Sequence, residues 1–340
     1  MALERKETRK QTLWRIVILS LSVILLVLIG QISLWLPRTG PMLKVLQVYS
    51  LPILELSGLA WMNEQEKTFI GVSDRDGKWL SAKWLSDGNL TDISQTSFAE
   101  KLEDSFLPCR SETSAACRKV NKTLTSQWEG VAVVGEQTLL LQESTGLLHL
   151  FSLSGAYQNH WRLNFYPYLS QLVGGKAKGK SNALGEGLVV LKEGHLLVAK
   201  ERDPGMIVEF APIGRSSVLK SSELLEPALA PLNQQGGGLE KAIDLLPVAV
   251  WTLPEAFKEC DLSELTLHQG EAYWVSQKCR QIHRSRLNEA GTPIEVLQSW
   301  NLPKEISNPE SLLVLAPGQF LVGDDKKSTK GNFYYLGEKK

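Results

Sequence analysis

Five times along this chain a short polar head leads into an apolar strand, a turn, a second apolar strand and a polar corner. "WEGVAVVGEQTLLLQES", residues 128–144, shows the pattern in full. It returns as "LSGLAWMNEQEKTFIGVSDRDG", "GEGLVVLKEGHLLVAKERDPG", "LSELTLHQGEAYWVSQK" and "PESLLVLAPGQFLVGDD". The heads are Ser57, Glu129, Glu186, Ser263 and Glu310, and the corners are Asp74, Glu143, Glu201, Gln277 and Asp324. A self-similar unit of this size constrains the fold more than any composition does. A lone sheet cannot bury both faces, but units stacked around an axis can.

The apolar runs are four to eight residues of Val, Leu, Ile and aromatics between turn residues, which predicts strands. Three or four strands per unit predict an all-β fold, a five- or six-bladed β-propeller. The heads are unevenly spaced, 72, 57, 77 and 47 residues apart (57, 129, 186, 263, 310). The two wide gaps predict long loops or a degenerate sixth blade. "LKVLQVYSLP", residues 43–52, reads as a strand preceding the first unit. Pairing it into the last blade would close the ring and hide two sheet edges.

In such a ring the first strand of each unit lines the channel. Gly58, Gly130 and Gly187 then let neighbouring backbones approach. The residue before each glycine faces the channel mouth, so carboxylates at recurring heads should converge. The expectation is one mouth cluster of Glu129, Glu186 and Glu310, with Glu143, Glu201 and Asp324 as an adjoining loop layer. Two readings of these acids stay open. One is a structural lock, each carboxylate accepting backbone N–H bonds from the next blade. The other is a hard-cation site, since calcium takes six to eight oxygens; its candidate ligands are Asp74, Asp76, Glu129, Glu186, Asp203 and Asp325. Clustered carboxylates repel one another, and Arg75 and Arg202, each beside an acid, can offset that.

Before the first unit lies a different kind of sequence. Residues 16–36 carry no charge, and as a helix they would span about 32 Å, close to a hydrocarbon core of roughly 30 Å. Trp14 and Trp35 stand near its ends, where amphipathic rings favour headgroups. The run is too long for a signal-peptide core and offers no good cleavage site. The reading is a retained single-pass anchor over 16–36, a basic cytoplasmic tip over 1–15, a linker over 37–42 and an extracytoplasmic propeller over 43–340. The tip holds Arg5, Lys6, Arg9, Lys10 and Arg15, which orients the N-terminus inward.

Four cysteines suit an oxidising compartment, where Cys109–Cys117 and Cys260–Cys279 would form two local disulfides. The second pair brackets a hairpin turning at Gln269-Gly270. Net charge is zero, which gives no reason to expect nucleic acid. "GGKAKGKS", Gly174 to Ser181, matches a phosphate-loop pattern, but a strand follows where a helix is required, so no nucleotide is expected. His149, His160, His195, His268 and His283 have no zinc-protease spacing, and no G-x-S-x-G elbow exists.

Several of these segments, "LSGLAW", "GVSDRDG", "WEGVAVV", "LQES", "NALGEGLVVL", "AKERDPG" and "NPESLLVL…VGDD", resemble the phytase-like ("esterase-like activity of phytase") and SdiA-regulated β-propeller proteins. The resemblance covers about residues 54–336. It implies an extracytoplasmic propeller and, as one possible activity, calcium-assisted phosphoric ester hydrolysis. The Asp-rich calcium motifs of true propeller phytases are missing, and "ERDPG" keeps only an Asp-Pro pair. The phytase active site is therefore not carried over. The expected function is a module that binds a ligand or partner at an acidic channel mouth, with the phosphoesterase as alternative.

Overall fold

The computed structural model describes residues 40–98, 126–143, 145–165, 185–191, 194–202, 204–213, 215–217 and 243–338. The proposed anchor over 16–36, Cys109, Cys117, Asp203, the 174–181 loop and most of both wide gaps lie outside them. Among the described residues no helix is long and apolar enough to cross a membrane. The chain divides into residues 1–39 and a compact unit, Gly40–Lys340.

The compact unit is all-β, with a short 3₁₀ turn at Glu255–Phe257. Strands β2 (Leu56–Asn63), β3 (Thr68–Ser73), β4 (Lys78–Trp84) and β5 (Leu90–Ser97) form one antiparallel sheet in chain order. Strands β14 (Glu264–His268), β15 (Glu271–Ser276), β16 (Gln281–Arg286) and β17 (Glu295–Asn301) form another. Between them in sequence come two further antiparallel quartets. One is β6 (Trp128–Val134), β7 (Gln137–Gln142), β8 (Leu147–Ser152) and β9 (Tyr157–Leu163). The other is β10 (Leu188–Val190), β11 (Leu196–Lys200), β12 (Met206–Ala211) and β13 (Ile243–Thr252). Their outer strands β9 and β13 pair in parallel, Ile243 opposite Trp161, which fuses the two into one eight-stranded sheet. The Arg162–Asp244 ion pair, at 2.6 Å, crosses that seam.

The last sheet is β18 (Pro309–Ala316), β19 (Gln319–Asp324) and β20 (Phe333–Glu338), completed by β1 (Leu43–Tyr49) from the other end of the chain. Leu43 pairs with Glu338 and Tyr49 with Phe333. The expected closing strand is thus present, and it covers an edge that would otherwise expose unpaired backbone groups.

Apolar packing runs in a cycle. Val72 and Trp79 of the first quartet pack with Trp128 and Phe151 of the second. Leu139 and Trp161 of the second pack with Leu196 and Phe210 of the third. Trp251 meets Trp274 in the next cluster, and Tyr273 and Trp300 meet Phe320 and Tyr334 in the one after. Leu313 and Phe333 then pack with Leu56 and Phe69, back on the first quartet. Each sheet therefore buries both faces against its neighbours, which is the physical basis of a β-propeller arrangement. The expected hairpin between Cys260 and Cys279 forms as β14–β15, and the two cysteines are joined in a disulfide.

The head glycines do what close packing needs. A Cβ on Gly58 would lie 2.5 Å from the Glu129 carbonyl oxygen, and one on Gly187 would lie 2.2 Å from the Leu265 nitrogen. Such distances are sterically closed to any side chain, so these inner strands touch backbone to backbone.

Candidate functional site: an acidic channel mouth

The heads sit on bulges. Strand register slips between Leu56 and Gly58, between Trp128 and Gly130, and between Pro309 and Ser311. The residue skipped in each case is the head: Ser57, Glu129 or Glu310. A bulge adds one residue to one strand and re-aims its side chain. Here it lets an acid at the start of a buried strand leave the alternating pattern. Glu55 and Gln127, two residues before Ser57 and Glu129, both adopt positive φ, 47° and 64°. They set the entry angle of their strands.

Several of these carboxyls lie close enough to raise one another's pKa values. Glu129 is held far above the usual carboxylate range by burial first, then by the charges of Asp74, Glu310, Glu143 and Asp325. Glu186 is likewise held far above it by burial, then by Glu129, Glu143, Glu201 and Glu310. Burial, reinforced by Asp325 and Asp74, pushes Glu310 up to about 9. Burial also raises Glu143 to about 7, although a hydrogen bond with Glu186 opposes the shift. Burial and Glu55 raise Asp325 to about 6. One candidate atom from each of Glu143, Glu186 and Glu201 lies within 4.8 Å of the others. Two oxygens each about 2.4 Å from one ion stand at most about 4.8 Å apart, so this trio fits the span of a calcium shell. No hydrogen-bond donor reaches the Glu129 carboxyl among the described residues, and the residue is 8% exposed.

The corners separate into two positions. The last residue of each second strand is a buried polar group that ties the corner together. Ser73 Oγ accepts from the Arg75 and Asp76 N–H groups. Ser276 Oγ accepts from Cys279 N–H and donates to Asp261. Asp324 holds this same position. It accepts from Ser307 N–H, Ser307 Oγ–H and Asn308 N–H at 2.7–3.0 Å and pairs with Lys326 at 2.7 Å. The next residue turns toward the mouth: Asp74, Glu143, Glu201, Gln277 and Asp325.

The sequence assignment of Asp324 to the row of Glu143 and Glu201 is therefore one residue out of register. Asp325 is the equivalent, since its N–H bonds Asn308 O as Asp74 N–H bonds Glu55 O and Glu143 N–H bonds Gln127 O. "GDD" offered two adjacent acids and no signal to choose between them. Asp324 behaves as a structural lock, and Asp325 faces the cluster. Asp76 is exposed at its corner.

The arginines next to the acids pair as expected, though not always with their chain neighbours. Arg202 bonds Glu201 at 2.9 Å. Arg75 pairs with Glu55, a buried acid the repeat did not single out. In the fourth unit, where Ser263 and Gln277 replace acids, Gln277 Nε2 lies 3.5 Å from Glu310 Oε1.

The repeat also gave no notice of Glu264. It occupies the step that is glycine in three other units. Its Oε1 accepts from Leu265 N–H at 2.8 Å and its Oε2 from Leu59 N–H at 3.1 Å. Burial holds it well above the usual range despite those two bonds. The signal available was the break in the glycine row.

No family model matches the sequence, and no curated protein does either. The phytase-like and SdiA-regulated resemblance thus rests on the quoted segments alone. Among solved structures, Myxococcus xanthus glutaminyl cyclase is 12% identical, with 89% of this chain and all of that one covered at a TM-score of 0.46. The RRP9 WD40 repeats are 10% identical, covering 88% and 99%, at 0.42. A streptogramin B lyase is 10% identical, covering 88% and 98%, at 0.37. These neighbours are β-propeller-like proteins. At such identities and scores they say nothing of this chain's chemistry.

Proposed function

We propose that this protein is a membrane-anchored, extracytoplasmic β-propeller of five blades whose acidic mouth binds a hard divalent cation such as calcium. The blade count rests on the cycle of packed quartets. The anchor rests on the uncharged run over 16–36, and the compartment on the basic tip before it and on the cysteines. The cation rests on one observation above the rest. Glu129, Glu143, Glu186, Glu201 and Glu310 raise one another's pKa values, with Arg202 paired to Glu201 and Arg75 to Glu55 beside them. Buried carboxyls in that state must hold protons or a cation. Glu143, Glu186 and Glu201 would form the first ligand set, with Glu129 beside them.

Isothermal titration of the full-length chain with calcium, magnesium and manganese at pH 8 tests the reading. Saturable binding that releases protons and disappears in Glu186→Gln is the expected result. Heats no larger than buffer dilution for all three metals would refute it. A phosphomonoesterase assay run on the calcium-loaded protein tests the hydrolytic alternative separately.

A further inference from the structure

The strand that joins the two ends of the chain differs from the other outer strands. β5, β9 and β17, outermost in their quartets, fill their exposed positions mainly with polar groups. These are Asp92, Ser94 and Gln95, then Gln158 and Arg162, then Glu295, with Ile93 the exception. β1 does the reverse. Exposure alternates along it and the residue before it, and the exposed positions are Met42, Lys44, Leu46 and Val48. Met42, Leu46 and Val48 are 57%, 51% and 49% exposed. The positions between them pack inward, Leu43 and Val45 beside Trp300 and Leu336, Tyr49 beside Trp84 and Phe333. Three large apolar side chains so close together are a patch rather than scatter, and such patches mark contacts.

The position of β1 in the chain selects the partner. Six residues, 37–42, separate it from the proposed anchor. Fully extended they reach about 20 Å, so a lipid surface is always within reach of this patch. A second copy of the chain fits less well. Lys44 and the bulge at Leu46, between Val45 and Gln47, interrupt the free edge, and both devices oppose strand addition. The headgroup layer has no register to match. It takes apolar side chains while its water satisfies the unpaired backbone edge, which the hydrocarbon core could not do. The Lys44 stem can lie along that layer with its ammonium at a lipid phosphate.

We propose that this face of β1 rests on the bilayer, with Met42, Leu46 and Val48 in the boundary between headgroups and acyl chains. The proposal rests on the anchor over 16–36 and is independent of the cation reading. β1 is the strand furthest from the channel in its sheet. The contact therefore holds the ring by its rim and not by its acidic mouth.

Reconstitution of the full-length protein in vesicles of phosphatidylcholine and phosphatidylglycerol tests it. Val48→Cys carrying a nitrobenzoxadiazole label reports on β1, and Gln158→Cys on β9 reports on another outer strand. Labelled wild type sets the background from native thiols, and Leu46→Cys gives a second reporter should Val48→Cys fail to fold. Phosphatidylcholine spin-labelled near the headgroup end of its acyl chain should quench the label at 48 several-fold more than the label at 158. Adding Met42→Ser and Leu46→Ser should bring the two levels together, while attachment still survives an alkaline carbonate wash. Release of the wild type by carbonate would sink the anchor and this proposal with it. Firm attachment with equal quenching at 48 and 158 overturns the surface alone. So does quenching at 48 that rises with the number of copies per vesicle instead of with spin-labelled lipid, the sign of a second copy on β1.

Discussion

Glu264 on β14 accepts the backbone N–H of Leu59 on β2, although their two sheets are not neighbours in the ring. A single side chain thus spans the channel and ties its opposite walls. Glu264→Ala leaves both the Leu59 and the Leu265 N–H groups without their acceptor. Each unpaired buried donor costs about 1–3 kcal/mol, so urea denaturation should show a loss of that order or greater. Glu264→Gln keeps one acceptor oxygen and should fall between wild type and the alanine variant.

The mouth carboxyls make stability depend on pH in a definite direction. Their folded-state values are raised: Asp325 to about 6, Glu143 to about 7, Glu310 to about 9. Where the folded state binds more protons than the unfolded one, stability falls as pH rises. The loss begins above the ordinary carboxylate value and continues through pH 9. Calorimetry without divalent ions should therefore find a lower melting temperature at pH 8.5 than at pH 5.5. Calcium should restore most of the difference at pH 8.5 and little at pH 5.5, where protons already occupy the site.

Glu129 and Asp324 should respond oppositely to substitution. Glu129→Gln removes a buried carboxyl whose ionisation is opposed by burial and by its acidic neighbours, so the metal-free protein should become more stable at pH 8.5 and lose calcium stabilisation. Asp324→Asn disturbs bonds to Ser307, Asn308 and Lys326. It should cost about 1–3 kcal/mol whether or not calcium is present. Equal losses for both variants, with and without the ion, would mean that Glu129 is a lock as well.

The Cys260–Cys279 disulfide closes a loop across 19 residues of sequence separation. Loops of about that length gain roughly 3 kcal/mol from cross-linking. Chemical denaturation of a Cys260→Ala, Cys279→Ala double variant should show a loss of about 2–4 kcal/mol. The β14–β15 hairpin inside the loop should gain the fastest amide exchange.

Gly130 tests the close approach of inner strands. A Cβ there would stand 2.9 Å from Leu188 Cβ and 3.0 Å from the Glu186 carbonyl oxygen. Gly130→Ala should destabilise by about 1–3 kcal/mol through overpacking. By contrast Gly135→Ala, in a turn with nothing near its Cβ, should cost only the strain of a positive φ of 58°.

Much of the ring was legible in the sequence, because a unit that recurs must recur in space. Its heads, its glycines and the Cys260–Cys279 pairing all come from patterns local to one unit. What escaped was set by relations between units. Glu55 is buried under an arginine from its own corner, and nothing in "ILELSG" announces it. Glu264 is a carboxylate at a glycine step, useful only because Leu59 faces it across the channel. Asp324 and Asp325 differ by one place in register, which a strand's period of two turns into opposite directions.

The pairing of β1 with β20 orders events in time. Leu43 meets Glu338, so the partner of the first strand is not made until 295 residues later (338 − 43). At about 5–20 residues per second that interval is roughly 15–60 s. Throughout it, β1 waits without its sheet, and the exposed faces of the first and last quartets lack each other. The ring therefore cannot complete until β20 has been made, and a chain cut before that strand keeps an open seam beside an unpaired β1.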